Sequence, residues 1–125
     1  MKTHFTVALS MITGIAIGAA AIQGVHAQAK PKAYTVTESE MLDAAAMTAY
    51  RPLVRAASKG RLIAGGGGKI VAIAGAAAPK NMAINEWDSL EQAQAFYNSA
   101  AWNDLAPQRD KAEKLIRRYV VEAVQ

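Results

Sequence analysis

MAINEWDSLEQAQAFYNSAAWNDLAPQR, residues 82–109, is the stretch whose reading decides the fold. Its first positions alternate Met82, Ile84 and Glu86 against Ala83, Asn85 and Trp87, the period of two that marks a strand in a half-buried sheet. Ser89 then offers an N-cap hydroxyl, and Gln92 three residues on completes an S-x-x-Q capping box. Leu90, Ala93, Phe96 and Tyr97 share one face of the helix that this box starts. Asn98 and Ser99 close it, residues 100–104 read as a helical turn, and Pro107 suits the first turn of a further helix to about residue 114.

Upstream, the same strand-then-helix order occurs once more. Residues 33–38 alternate, with Tyr34, Val36 and Glu38 on one side and Ala33, Thr35 and Thr37 on the other, which predicts a strand. Ser39 is the expected N-cap of the next helix. Leu42, Ala46, Ala49, Leu53 and Ala57 form its apolar stripe, Pro52 predicts a kink or break near residues 49–51, and Gly60 ends it. Residues 61–64 and 69–74 are short apolar runs on either side of Gly65, Gly66, Gly67 and Gly68. A phosphate loop is excluded there: Ile63 stands where the first glycine belongs and Ile70 follows Lys69 where Ser or Thr is needed. The glycines read instead as a turn or bulged strand requiring positive φ or close backbone approach. Residues 118–124 read as the last strand.

The order is β-α-β-β-α-β. It predicts an α+β, ferredoxin-like fold, an antiparallel four-stranded sheet with both helices on one face. The other face carries too many apolar positions to stay wet, so a second copy of the chain is its expected cover, giving a homodimeric α+β barrel.

Length and composition set the compartment and exclude several chemistries. The chain has 125 residues, one domain by size. A lysine at position 2, an uncharged run over residues 5–22 and the A-x-A pattern of Ala27 and Ala29 are the three parts of a secretory signal peptide, residues 1–29, cleaved after Ala29 or Ala27. A retained anchor is the competing reading, but the run barely reaches the ~20 residues a membrane span needs. Residues 30–32 then form a leader, residues 33–125 the domain, and the mature protein is expected in the periplasm or outside the cell, without a stable membrane span. Cleavage removes both histidines, His4 and His26, and the chain has no Cys. Zinc-type metal sites, thiolate and Ser–His nucleophiles and disulfides are thereby excluded, and neither a metal nor a cofactor is expected. The 14 basic residues less Lys2 face 10 acidic ones, scattered except for Lys111, Lys114, Arg117 and Arg118, which argues against nucleic acid as a partner.

With these residues laid out, the region from about residue 33 to 124 resembles the domain-of-unknown-function 1330 family of the dimeric α+β barrel superfamily. The resemblance is carried by Asp88, Ser89, Leu90, Glu91, Gln92, Ala93, Phe96, Tyr97 and Ser99, then Trp102 and Arg109. It implies the fold and the dimer but no common activity. It also implies an arginine before the paired glycines, where this chain has Gly65, and an aromatic where it has Met47, whereas Tyr50 keeps the second aromatic. Ala123 replaces the glycine that the resemblance implies after the glutamate of the last strand.

Folds of this kind place their cavity between sheet and helices or against the partner's sheet, which makes inward polar and aromatic groups the candidates. Arg109 can offer a planar fork to a carboxylate or carbonyl ligand, or pair with Asp104, Asp110 or Glu113. Trp102, Tyr97, Tyr50, Tyr34 and Trp87 can line an apolar pocket or pack the core. Glu38 and Glu86 lie on apolar-patterned strands, where a buried carboxylate would have a raised pKa and act as a base. Three functional readings follow. The first is an exported protein binding a small organic ligand; the second is a cofactor-independent oxygenase- or isomerase-like enzyme acting on small aromatic or carbonyl compounds. The third is an envelope-associated structural protein using the C-terminal basic patch.

Overall fold

A computed structural model of the chain describes residues 30–125, of which Pro31–Gln125 form one compact unit. The expected signal peptide with its two histidines lies outside the described residues. Along the chain run β1 (Ala33–Met41), α1 (Ala44–Ala57), β2 (Arg61–Gly65), β3 (Asn81–Trp87), α2 (Leu90–Tyr97), α3 (Ala100–Asn103), α4 (Ala106–Ala112) and β4 (Glu113–Glu122). The four strands form one sheet in the order β2-β3-β1-β4, every neighbouring pair antiparallel. This is the expected α+β architecture. Among the described residues no helix is long and apolar enough to cross a membrane.

Strand β1 decides which side of the sheet the helices cover. Ala33, Thr35, Thr37 and Ser39 are all buried, whereas Tyr34, Val36 and Glu38 between them are only half-buried. Antiparallel register carries the distinction to the neighbours. Opposite Thr35 and Thr37 lie Asn85 and Ala83 on β3 and Val120 and Arg118 on β4; opposite Tyr34, Val36 and Glu38 lie Glu86, Ile84 and Met82, and Val121, Tyr119 and Arg117. The core therefore sits on the threonine side. There Trp87, Ala93, Phe96 and Trp102 form one buried cluster, flanked by Val54, Ala57, Tyr97 and Val120. Met47, Tyr50 and Ala112 form a second, flanked by Ala46, Val54 and Leu105. Rings in the first cluster meet tilted or edge-on at 5.0 to 5.9 Å between centroids, the arrangement that ring quadrupoles favour.

Several elements differ from the sequence reading for identifiable reasons. Ser39 is not a cap: β1 continues to Met41, and Asp43 caps α1 by accepting a 2.6 Å bond from the Ala46 amide. Helix α1 passes through Pro52 without a break. The carbonyl that Pro52 leaves unbonded belongs to exposed Thr48, where water can satisfy it. Its inward stripe is the buried Met47 and Tyr50 with half-buried Val54 and Ala57, one position round from the expected Ala46, Ala49 and Leu53 but sharing Ala57, and Leu42 and Leu53 are left exposed. Gly60 does not terminate the helix, which ends at Ala57 with Ser58 as its C-cap; Gly60 lies against the Trp87 ring instead.

The glycine run does form a turn, with positive φ at Gly65, Gly66 and Gly67, and β2 carries a register shift between Leu62 and Ala64. Residues 69–74 are not a strand; Val71 and Ile73 stand exposed. The capping box is present with one variation. Ser89 Oγ accepts from the Gln92 amide at 3.1 Å, and Gln92 Oε1 reaches back to the Asp88 amide at 2.9 Å rather than to the cap residue. The final helix ends at Ala112 and runs directly into β4, which starts five residues before the expected position.

Candidate functional site

Beneath α1, between that helix and the threonine side of the sheet, lies a cavity of about 140 Å³. It exists because β1 contributes short side chains there. Thr37 and Ser39, with Asn81, Ala83 and Asn85 of β3, leave space that longer residues would fill. Met47, Val54 and Phe96 form apolar wall, and Arg51 and Arg55 lie along α1. Tyr50, Tyr97, Trp102, Glu113 and Arg118 complete the polar and aromatic lining.

Two hydrogen-bonded arrangements order the polar side. In the first, Asn81 Nδ2 donates to Ser39 Oγ at 2.7 Å and Ser39 Oγ donates to Glu113 Oε2 at 2.8 Å. This fixes the Glu113 carboxylate at the junction of α4 and β4. In the second, Arg118 Nε donates to Thr37 Oγ1 at 2.9 Å, while its guanidinium lies over Trp102 at 4.6 Å and over Tyr97 at 4.8 Å from the ring centroids. Trp102 also carries Arg109, 4.1 Å from the centroid, and Arg109 Nη1 donates to the Trp102 carbonyl at 3.1 Å. Such stacking immobilises a planar cation and screens its faces from water. Outside the lining, the Thr35 hydroxyl accepts from Trp87 Nε1 at 3.0 Å and lies 3.4 Å from the Tyr97 hydroxyl.

Electrostatically the cavity is a basic enclosure with one fixed acid. Burial pushes the Tyr50 phenol up to about 12; the Glu113 carboxylate adds to the rise, and Arg109 and Arg118 oppose it. Tyr50 is thus a neutral hydrogen-bonding group over the physiological range. Among the described residues every buried side-chain N or O atom has a hydrogen-bond partner, and no cluster of three or more His, Cys, Asp or Glu could hold a metal ion.

The eight residues singled out from the sequence separate by face of the sheet, and Trp87, on the inner face, packs in the core rather than lining the cavity. Tyr50, Tyr97 and Trp102 line the cavity, and Arg109 stacks on Trp102 from outside the lining. Arg109 forms no ion pair among the described residues; its contacts are the indole and carbonyl of Trp102 and the side chain of Tyr50. Tyr34 and Glu38 lie on the opposite face of the sheet. Glu38 is ion-paired with Arg117, and the Tyr34 hydroxyl donates to Glu86 at 3.4 Å. Glu86 is held by Arg61 at 2.8 Å and Lys32 at 3.0 Å, and these two hydrogen bonds keep its carboxyl down at about 2, far from a base's range.

Arg118, Glu113 and the Ser39–Asn81 pair escaped the sequence reading. Arg117 and Arg118 read as part of one basic patch, but consecutive strand residues face opposite ways. Starting β4 at Glu113 would have sent one arginine into the cavity and left the other outside.

Fold and site together define a small α+β domain, one antiparallel sheet with a polar-lined cavity beneath its first helix. The chain belongs to the family described as a domain of unknown function, DUF1330, which it matches over residues 32–124. Among solved structures it is similar to a nipsnap family protein with unknown function from Agrobacterium tumefaciens str. C58. That likeness has 18% identity and a TM-score of 0.41, covering 78% of this chain and 92% of that one. No curated protein matches the chain.

Proposed function

We propose that this protein is an exported binding protein for a small organic molecule, held beneath α1 in a ferredoxin-like homodimer. The observation that carries the reading is the cavity: a few convergent polar groups, Ser39, Asn81, Glu113 and Arg118, set against an apolar and aromatic wall. Ligand sites have this composition, and a volume of about 140 Å³ matches the ~150 Å³ at which an engineered protein cavity takes up benzene. The dimer is supported by the other side of the sheet, where Tyr34, Val36, Met82 and Ile84 adjoin Tyr119 and Val121, both about half exposed. Export is supported by the tripartite N-terminal sequence. An enzyme built on Arg109 and Glu38 is the weaker reading, since these residues lie on opposite sides of the sheet.

Native mass spectrometry of the purified protein tests the binding role. A retained small molecule, lost from a Ser39→Leu variant that fills the cavity, is the expected result. An empty protein that takes up no compound from a panel of small aromatic and aliphatic molecules would refute it. Light scattering should give twice the chain mass at micromolar concentration; a monomer there would sink the dimer independently.

A further inference from the structure

The geometry points to a ligand class: a small monocarboxylic acid with an apolar or aromatic body, its carboxylate received by Arg118. This rests on the binding reading above and goes further by assigning charge and orientation. The Arg118 guanidinium lies against Trp102 and Tyr97 on one side, its Nε is committed to Thr37, and among the described residues no carboxylate pairs with it. A half-buried guanidinium held in that way and lining a cavity keeps its terminal N–H groups for a planar acceptor, for which a carboxylate is the matching shape. The rest of the lining favours the same sign, since Arg51, Arg55 and Arg118 face a single acid, Glu113.

Glu113 sets the direction of entry. Its Oε2 accepts from Ser39 at 2.8 Å, and among the described residues it makes no ion pair with Arg118. A ligand carboxylate at that end would meet like charge, so the acid group belongs at the Arg118 end. The body then lies along Met47, Val54 and Phe96, with room for about one six-membered ring.

Isothermal titration with benzoate and its neutral isostere benzamide tests this. Benzoate should bind at least tenfold more tightly than benzamide. Arg118→Met, which keeps an unbranched stem, should remove that preference, while Arg117→Met on the other side of the sheet should leave the benzoate-to-benzamide ratio as it is. Equal affinity of wild type for the two probes would overturn the carboxylate assignment and leave the binding role standing, as would a preference that survives in Arg118→Met. Failure of both probes, and of their aliphatic counterparts hexanoate and hexanamide, would overturn the binding role itself. Should Arg118→Met fail to fold by circular dichroism, the benzoate-to-benzamide ratio of the wild-type protein decides alone.

Discussion

Gly65 and Gly67 look alike in sequence, but the structure makes very different demands on them. Both have positive φ, +81° and +103°, where an L side chain costs roughly 1–2 kcal/mol. At Gly67 that is the whole expected penalty, because an added Cβ would have Arg51 Nη1 at 3.8 Å as its nearest neighbour. At Gly65 the same atom would fall 2.1 Å from the Met82 carbonyl oxygen and 2.9 Å from Ala83 Cα, both backbone of the adjoining strand. Only separation of β2 from β3 relieves this, and separation breaks the 2.9 Å bond from the Gly66 amide to that same oxygen. Adding about 1 kcal/mol for the lost bond and a comparable amount for displaced strand contacts puts Gly65→Ala at roughly 3–4 kcal/mol, against about 1–2 for Gly67→Ala. Urea denaturation followed by Trp fluorescence measures both, since Trp87 ends β3 and reports on its packing. Equal losses in the two variants would refute the close-approach argument and reduce the glycine run to a tolerant loop. The same geometry explains a departure noted in the sequence: an arginine at position 65 could not adopt this backbone.

Two further outcomes follow from the caps and the cavity. Ser89→Ala should cost about 1 kcal/mol, because it deletes the acceptor of the Gln92 amide at the start of α2; chemical denaturation reads this, and Ser89→Asp should restore most of it. Tyr50 links stability to alkaline pH. Its folded-state pKa, raised by burial to about 12, exceeds the unfolded value of 10.0, so its contribution is complete below pH 10 and is lost as pH rises through about 12. Melting temperatures of wild type should therefore fall more steeply across that window than those of Tyr50→Phe, and parallel curves would show that the phenol is not held neutral by the fold.

What the sequence made legible was local. Residues 82–92 combine period two with a capping box, and both signals act over a few residues with little help from the rest of the chain. The start of β4 was hidden because α4 passes into it with no Gly, Pro or Asn between them, so Glu113 and Lys114 read as helix continuing. Residues 69–74 are an apolar run of strand composition, but β2 ends at Gly65 and Ile73 stands 93% exposed, so without a pairing partner that run forms no strand. The stripe of α1 was misplaced because leucines outrank tyrosine and methionine in apolar weight, whereas the cavity wall uses Met47 and Tyr50. Three of the eight residues singled out for the site, Tyr50, Tyr97 and Trp102, line the cavity. They are aromatic, and aromatic rings signal enclosure wherever they occur. Ser39, Asn81 and Glu113 carry no such signal, since their meeting depends on the register of three strands.

Strand β4 holds a final consequence in its irregularity. Glu38 pairs with Arg117 and Ser39 with Leu115, so Ile116 is the extra residue of a bulge. Deleting Ile116 would straighten the strand yet leave Glu113 and every residue from Arg117 onward on its present side. Deleting Tyr119, by contrast, would exchange inside for outside in all that follows. Length is therefore neutral currency at one position of this strand and chemically committed at the others. Insertions and deletions surviving in descendants of this chain should gather at Ile116, sparing the segment that points Arg118 inward.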